Sequence, residues 1–324
     1  MYVTIAVASG GLIALMILVN GGLQGRVGPL PSLIIIHFMG LVASSLFLSL
    51  RAVQKQRGIP AGEAARAPLE GVDHKGAAPL WFITAGVLGI AVVFLNNLIY
   101  SKGGVLLALG GTLAGQTLVA HLLEGTHWFE GRKSPLFQRI LSVALVLPGA
   151  AIIGLRSGVG LGWVGVSWIP GAILMVQSMM NTRNALRWGQ PKMLLLNYAT
   201  ALAVLLPLFA ILGGAALVAT PSSGHREPGP FAALIGAAIA VPPYLWLPGG
   251  VIGVIVIGTS AFLFQRSSAI KVVLGLYAGQ IAIGILLDAL SGLPLQAEKI
   301  LGVAMVIAGL GAGELHRIRA LKRN

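Results

Sequence analysis

Ten times along the chain, a run of about twenty apolar residues is closed by glycine, proline or charge. A helix of that length spans the roughly 30 Å hydrocarbon core of a bilayer and satisfies its own backbone N–H and C=O groups, which open strands and loops cannot do in lipid. The runs fall at about 3–21, 32–50, 79–100, 104–123, 136–155, 163–183, 192–214, 244–264, 268–290 and 296–315. Composition agrees, since the chain is 56% hydrophobic and only 10% charged, against about 25% charged in soluble domains. The sequence therefore predicts an all-α membrane protein of ten transmembrane helices with no room for a soluble domain. Two connections, 51–78 and 215–243, are long. Within the second, 231–243 is rich in Ala and Pro and reads as an outer loop or a short re-entrant piece.

Several function classes fall away. With no cysteine there is no disulfide framework, thiol nucleophile or thiolate metal site, and no metal or cofactor is expected. No Walker loop points to ATP. The net charge of +13 sits in short connections between apolar runs, so it reads as topogenic and not as a nucleic-acid surface. The first run lacks a basic leader and reads as a retained span. With the N-terminus in the cytoplasm, 17 of the 22 Lys and Arg face inward. Only Arg26, Lys102, Arg156, Arg226 and Lys299 face outward. Both termini are thus expected to be cytoplasmic, with an even number of spans.

The chain also repeats itself. "LAGQTLVAHLLE" (113–124) and "YAGQIAIGILLD" (277–288) share Ala-Gly-Gln and an acid eight residues after the glutamine, at an offset of 164. At the same offset "GVLG" (86–89) matches "GVIG" (250–253), Tyr100 matches Phe264 and Lys102 matches Arg266. Earlier in each half, at an offset of 161, Asn20, Arg26 and Gly28 match Asn181, Arg187 and Gly189. Each half holds five spans, an odd number, so the second copy enters the membrane upside down. The expected units are a first five-helix repeat, 1–156, and a second, inverted one, 157–324.

The early "NGGLQGRVGPLPSLIIIHFMG" (20–40), with "GVLG" and "LAGQTLVAHLLE", resembles the YdcZ-like branch of the drug/metabolite transporter superfamily. The likeness covers nearly the whole chain, twice. It implies two inverted five-helix bundles and an export-type secondary carrier in a bacterial inner membrane. Small multidrug transporters of that superfamily carry a buried glutamate in their first helix. Here the first span has no acidic side chain, and neither does its counterpart at 163–183, which weighs against proton/cation antiport of that kind.

Candidate residues follow from position. Gln116 and Gln280 lie about 18 Å into their spans, near the midplane, at 1.5 Å per residue. A carboxamide there either bonds a neighbouring helix or lines a substrate cavity where the halves meet. Asn20, Asn181, Asn96, Asn97, Gln177, Tyr198 and Tyr277 complete the polar membrane set. His37 and His121 are titratable inside their spans, and Asn197 and Ile285 are read as standing in their places in the second half. Asn20 and Asn181 read as helix caps near span ends. Glu124 and Asp288, at opposite ends of their spans, read as solvated end charges, as salt bridges with nearby basic groups, or as gate charges at the two mouths. Gly111/Gly115 and Gly275/Gly279 are Gly-x-x-x-Gly pairs, expected to bring the fourth and ninth helices into close contact.

The leading expectation is a carrier for a small organic metabolite or drug, working by alternating access. The alternatives are an intramembrane enzyme and a lipid scramblase or structural subunit. Expected partners are the small-molecule substrate and membrane lipid, with no nucleic acid. Substrate identity, direction, coupling ion and oligomeric state are not fixed by the sequence.

Overall fold

The computed structural model describes residues 2–56, 84–123, 135–219, 230–267, 269–290, 292 and 296–321. The regular elements among them are helical: α1 (Tyr2–Val27), α2 (Pro29–Gln56), α3 (Ala85–Leu123), α4 (Leu136–Arg156), α5 (Leu161–Trp188), α6 (Gln190–Ala219), α7 (Pro230–Ala240), α8 (Pro243–Phe264), α9 (Ala269–Leu290) and α10 (Ala297–Leu321). Eight of them, α1 to α6, α8 and α9, are long and apolar enough to cross a membrane. The chain is an all-α, multi-pass membrane protein.

Glycine sets the breaks between helices. Gly28 (φ 85°) and Gly189 (φ 80°) separate α1 from α2 and α5 from α6 at matched positions, in a backbone region where a Cβ is penalised. The 39 residues of α3 would measure roughly 58 Å as one rod, about twice a bilayer core. They are interrupted at Gly103 and Gly104, where φ reaches 80°. The element is therefore two arms, 85–102 and 105–123, with the break inside the connection expected between the third and fourth spans. Most of the 231–243 segment belongs to α7, whose 11 residues are too few to cross the core. Phe231 of α7 packs edge-on against Phe209 of α6, with ring centroids 5.5 Å apart.

Because lipid tails are as apolar as the helices, packing here rests on close backbone approach more than on burial of apolar surface. A methyl on Gly115 would overlap the Trp168 carbonyl, and one on Gly171 would overlap the Thr112 carbonyl, so the second arm of α3 lies directly on α5. In the same way Gly279 meets the Val7 carbonyl and Gly10 meets the Leu276 carbonyl, joining α9 to α1. Gly111 meets Ser167 and Gly115 meets Ala172, while Gly275 meets Ala6 and Gly279 meets Gly11, so residue numbers rise together along both contacts and each pair is parallel. The two contacts map onto each other by the offsets of 164 and 161. The expected partnership of the glycine pairs is corrected by this. Gly111 and Gly115 pack on α5, Gly275 and Gly279 pack on α1, and neither pair joins the fourth helix to the ninth. Trp168 and Val7 are the matched residues whose carbonyls receive the second glycine, which is why each pair crosses to the other half.

The second arm of α3 does meet α9, by other residues. Gly284 faces Leu109, and Asp288 Oδ1 accepts the Val105 N–H at 3.2 Å, so the two run antiparallel. Helices α4 and α10 are antiparallel as well, with Gly149 against the Gly302 carbonyl and Gly309 against the Ser142 carbonyl.

Candidate functional site

A cavity of about 40 Å³ lies where α1, the second arm of α3, α5, α8 and α9 converge, with room for roughly three waters. From α5 come Leu174, Met175, Gln177, Ser178 and Asn181, and from α8 Val256, Ile257, Ser260, Ala261 and Phe264. Gln116 enters from α3, Ile13 from α1, and Val273 and Leu276 from α9. The polar groups are two glutamine carboxamides, an asparagine and two hydroxyls, and none of these lining residues carries a charge. Such a lining donates and accepts hydrogen bonds without favouring either sign of charge.

Local structure explains why these groups converge. The close α3–α5 contact at Gly115 and Gly171 fixes the depth of Gln116 against Gln177. Gln116 Oε1 and Asn181 Oδ1 are buried with no protein partner, which in hydrocarbon would cost several kcal/mol, on the order of 2–7. Both residues line the cavity, where a bound solute or water can reach them.

Beside the cavity lies a second polar group. Gln177 Nε2 donates at 3.5 Å to Asn197 Oδ1 of α6. A methyl on Gly89 would sit 2.7 Å from Gln177 Nε2 and 3.9 Å from His37 Nε2, so both side chains face the same small residue of α3. The His37 ring meets the Tyr198 ring edge-on with centroids 6.0 Å apart. His37 Nδ1 lies 2.8 Å from the Leu33 carbonyl, which can only accept, so Nδ1 carries a proton. The hydroxyl of Tyr198 faces Gly253 as His37 faces Gly89. This identifies Tyr198, not Asn197, as the residue in the place of His37. The offset of 161 also gives Tyr198.

The candidates thus divide. Gln116 and Gln177 line the cavity, and His37, Asn197 and Tyr198 cluster next to it through Gln177. Gln280, Tyr277, Asn96 and Asn97 are buried but are not part of this lining. Continuing the antiparallel register set at Val105 and Leu109 brings Gln280 level with Leu113 and Gln116 level with Tyr277. Asn96 Oδ1 accepts the Thr112 hydroxyl at 2.7 Å, tying the two arms of α3 together. His121 is buried, and its carbonyl accepts the Arg139 guanidinium. Glu124 lies outside the described residues.

Two expectations are corrected. Asp288 is 2% exposed and binds the first amide after the break in α3. It is a buried helix cap, not a solvated charge, because Val105 opens an arm whose first N–H groups have no partner within the helix. Asn20 and Asn181 are not caps, since α1 and α5 run on to Val27 and Trp188 and bury both. Asn181, Ser178 and Ser260 were missed as lining. The available signal was the pairing of Ser260 with Asn96, polar in both halves.

Comparison with known proteins accords with this architecture. The family model described as "Putative inner membrane exporter, YdcZ" matches residues 1–152 and, a second time, 162–311. No curated protein matches the chain. A solved structure titled "Crystal structure of protein" superposes with a TM-score of 0.51 at 17% identity, covering 98% of both chains, a likeness of fold alone. Matched over both of its halves, the chain belongs to the YdcZ family of drug/metabolite transporters, as a multi-pass protein of the inner membrane.

Proposed function

We propose that the protein is an exporter that moves a small neutral or zwitterionic organic solute by alternating access. The observation that carries this reading is the cavity itself, an uncharged, carboxamide-bearing site at the meeting of five helices. Its ten crossings form two inverted five-helix repeats, 1–156 and 157–324, with both arms of α3 counted and α7 left outside the count. Supporting this are the α3–α5 and α1–α9 contacts, which repeat residue for residue at the sequence offsets. Inverted-repeat carriers bind solute near the midplane where their halves meet, and rock one half against the other around it.

Gln116 and Gln177 orient the solute, Asn181 and Ser260 complete its hydrogen bonds, and the apolar faces of Val256 and Leu276 exclude water. Export, as opposed to uptake, is taken from the description of the family. That description also favours a carrier over an intramembrane enzyme.

The test is a thermal-shift screen of the purified protein against neutral, zwitterionic and cationic metabolites, followed by flux of each hit in proteoliposomes. A ligand that binds only the folded state raises its apparent stability by about 2.7 kcal/mol at a hundred times its Kd. Neutral or zwitterionic hits should be transported, and Gln116→Leu should abolish both the shift and the flux while the variant remains folded. Cationic hits alone would refute the uncharged site, and lipid scrambling without solute flux would refute the carrier.

A further inference from the structure

We propose that Asn20, Asn96, Asn97, Tyr100, Thr112 and Gln280 form the solute site of the opposite-facing state. They are the symmetry mates of Asn181, Ser260, Ala261, Phe264, Leu276 and Gln116, which line the cavity of the present state. The inference rests on the alternating-access reading and adds to it the residues of the other half of the cycle.

Three observations converge on this set. The first is position. Helices α1 and α9 are parallel, α5 and the second arm of α3 are parallel, and α9 runs antiparallel to that arm, so α1 is antiparallel to α5. Asn20 and Asn181 each lie seven residues before the end of their helices, hence toward opposite membrane faces. Phe264 ends α8 and lines the cavity with Asn181, while Tyr100, just before the α3 break, meets Gly21 beside Asn20. The two sets therefore give onto opposite sides.

The second is unmet hydrogen bonding. Asn20 Oδ1, Asn97 Nδ2 and both polar atoms of Gln280 are buried with no protein partner. Their residues are 2%, 1% and 0% exposed. Buried polar groups in proteins nearly always find partners. A cluster that lacks them in one conformation gains them in another if the same groups then face a solute or water. Two of the mates, Asn181 and Gln116, line the cavity, where a solute or water can reach them.

The third is what closes the mate site here. Thr112 donates to Asn96 Oδ1 at 2.7 Å, holding the two arms of α3 together, whereas their mates Leu276 and Ser260 both line the cavity. Leucine cannot make that bond, so the second half has no such tie. The present state is thus closed on the Asn96 side by a bond that the opposite state must break.

Cysteine labelling tests this in a chain with no cysteine of its own. Asn97→Cys and Ala261→Cys are made separately and exposed to an impermeant maleimide in right-side-out and inside-out vesicles. Ala261→Cys should react from one face and Asn97→Cys from the other, more slowly. Adding Thr112→Val should raise the Asn97→Cys rate about fivefold, the factor for losing one net hydrogen bond of about 1 kcal/mol. It should not raise the Ala261→Cys rate. Tyr100→Cys and Phe264→Cys serve as a second mate pair where a first-pair variant does not fold. Reaction of both mates from the same face, an inert first-half cysteine, an unchanged rate with Thr112→Val, or an equal rise at both sites would each overturn the inference. If the second-half cysteines are also inert, the cavity reading falls with it; if they react, that reading stands.

Discussion

Asp288 shows what a single side chain does at a break in a membrane helix. Gly103 and Gly104 leave the second arm of α3 with unpaired N–H groups at its start, and the Asp288 carboxylate reaches across from α9 to accept the Val105 amide. Removing the group leaves that donor unpaired and takes a negative charge from a helix N-terminus. Asp288→Ala should therefore lower stability by about 1–2 kcal/mol in detergent unfolding, while Asp288→Asn, which still accepts, should cost only part of that. Equal losses in the two variants would remove the capping role. An acid at a span end was legible in the sequence, but its burial was not, because nothing local says that a broken helix from the other half will meet it. Gln116 was legible from depth alone. The lining role of Asn181 was hidden because the charge at Arg183 closes the apolar run while α5 continues to Trp188.

At the scale of elements, small residues decide which helices touch. Gly-x-x-x-Gly announces that some backbone will come close, and the sequence carried that much twice. It does not name the partner, since a bare helix face fits any neighbour with matching small residues, and here Ala172 and Gly11 supply the match. Gly115→Ala and Gly279→Ala should each destabilise the protein by about 1–3 kcal/mol, because the added methyl meets a backbone carbonyl that cannot rotate away. A methyl added at Gly165, also within α5, would meet nothing within 4 Å. Gly165→Ala should leave stability unchanged or raise it by about 0.5–1 kcal/mol. Thermal unfolding of the three variants separates steric contact from a general intolerance of α3, α5 and α9 to substitution. The span pattern itself was readable because a bilayer fixes helix length, and the α3 break was marked by Gly103 and Gly104 within a polar interruption at Ser101 and Lys102.

For the whole molecule, the placement of basic residues distinguishes the two faces. The end of the first α3 arm, the α4–α5 turn and the start of α10 share one face, since Lys102 Nζ lies 5.6 Å from the Trp163 ring centroid and Arg156 pairs with Glu298 at 3.2 Å. That face holds Lys102, Arg156 and Lys299, three of the five basic residues that the charge count assigns to the outside. The first is set over an aromatic ring, the second is paired with an acid and the third is 5% exposed, so none presents a free cluster for retention in the cytoplasm. Arg51, near the C-terminal end of α2, begins the basic-rich connection, on the side to which the charge count assigns 17 of the 22 Lys and Arg. Positive charge resists translocation, so the Arg51 side should be cytoplasmic. Ser101→Cys and Gln54→Cys, both at exposed positions, should then behave oppositely in intact cells. An impermeant maleimide should label Ser101→Cys at once and Gln54→Cys only after permeabilisation. The reverse pattern would turn the molecule over and make charge asymmetry a poor guide to it. Labelling of both from outside would be incompatible with an odd number of crossings between the two positions, and with the inverted pairing of the halves that depends on it.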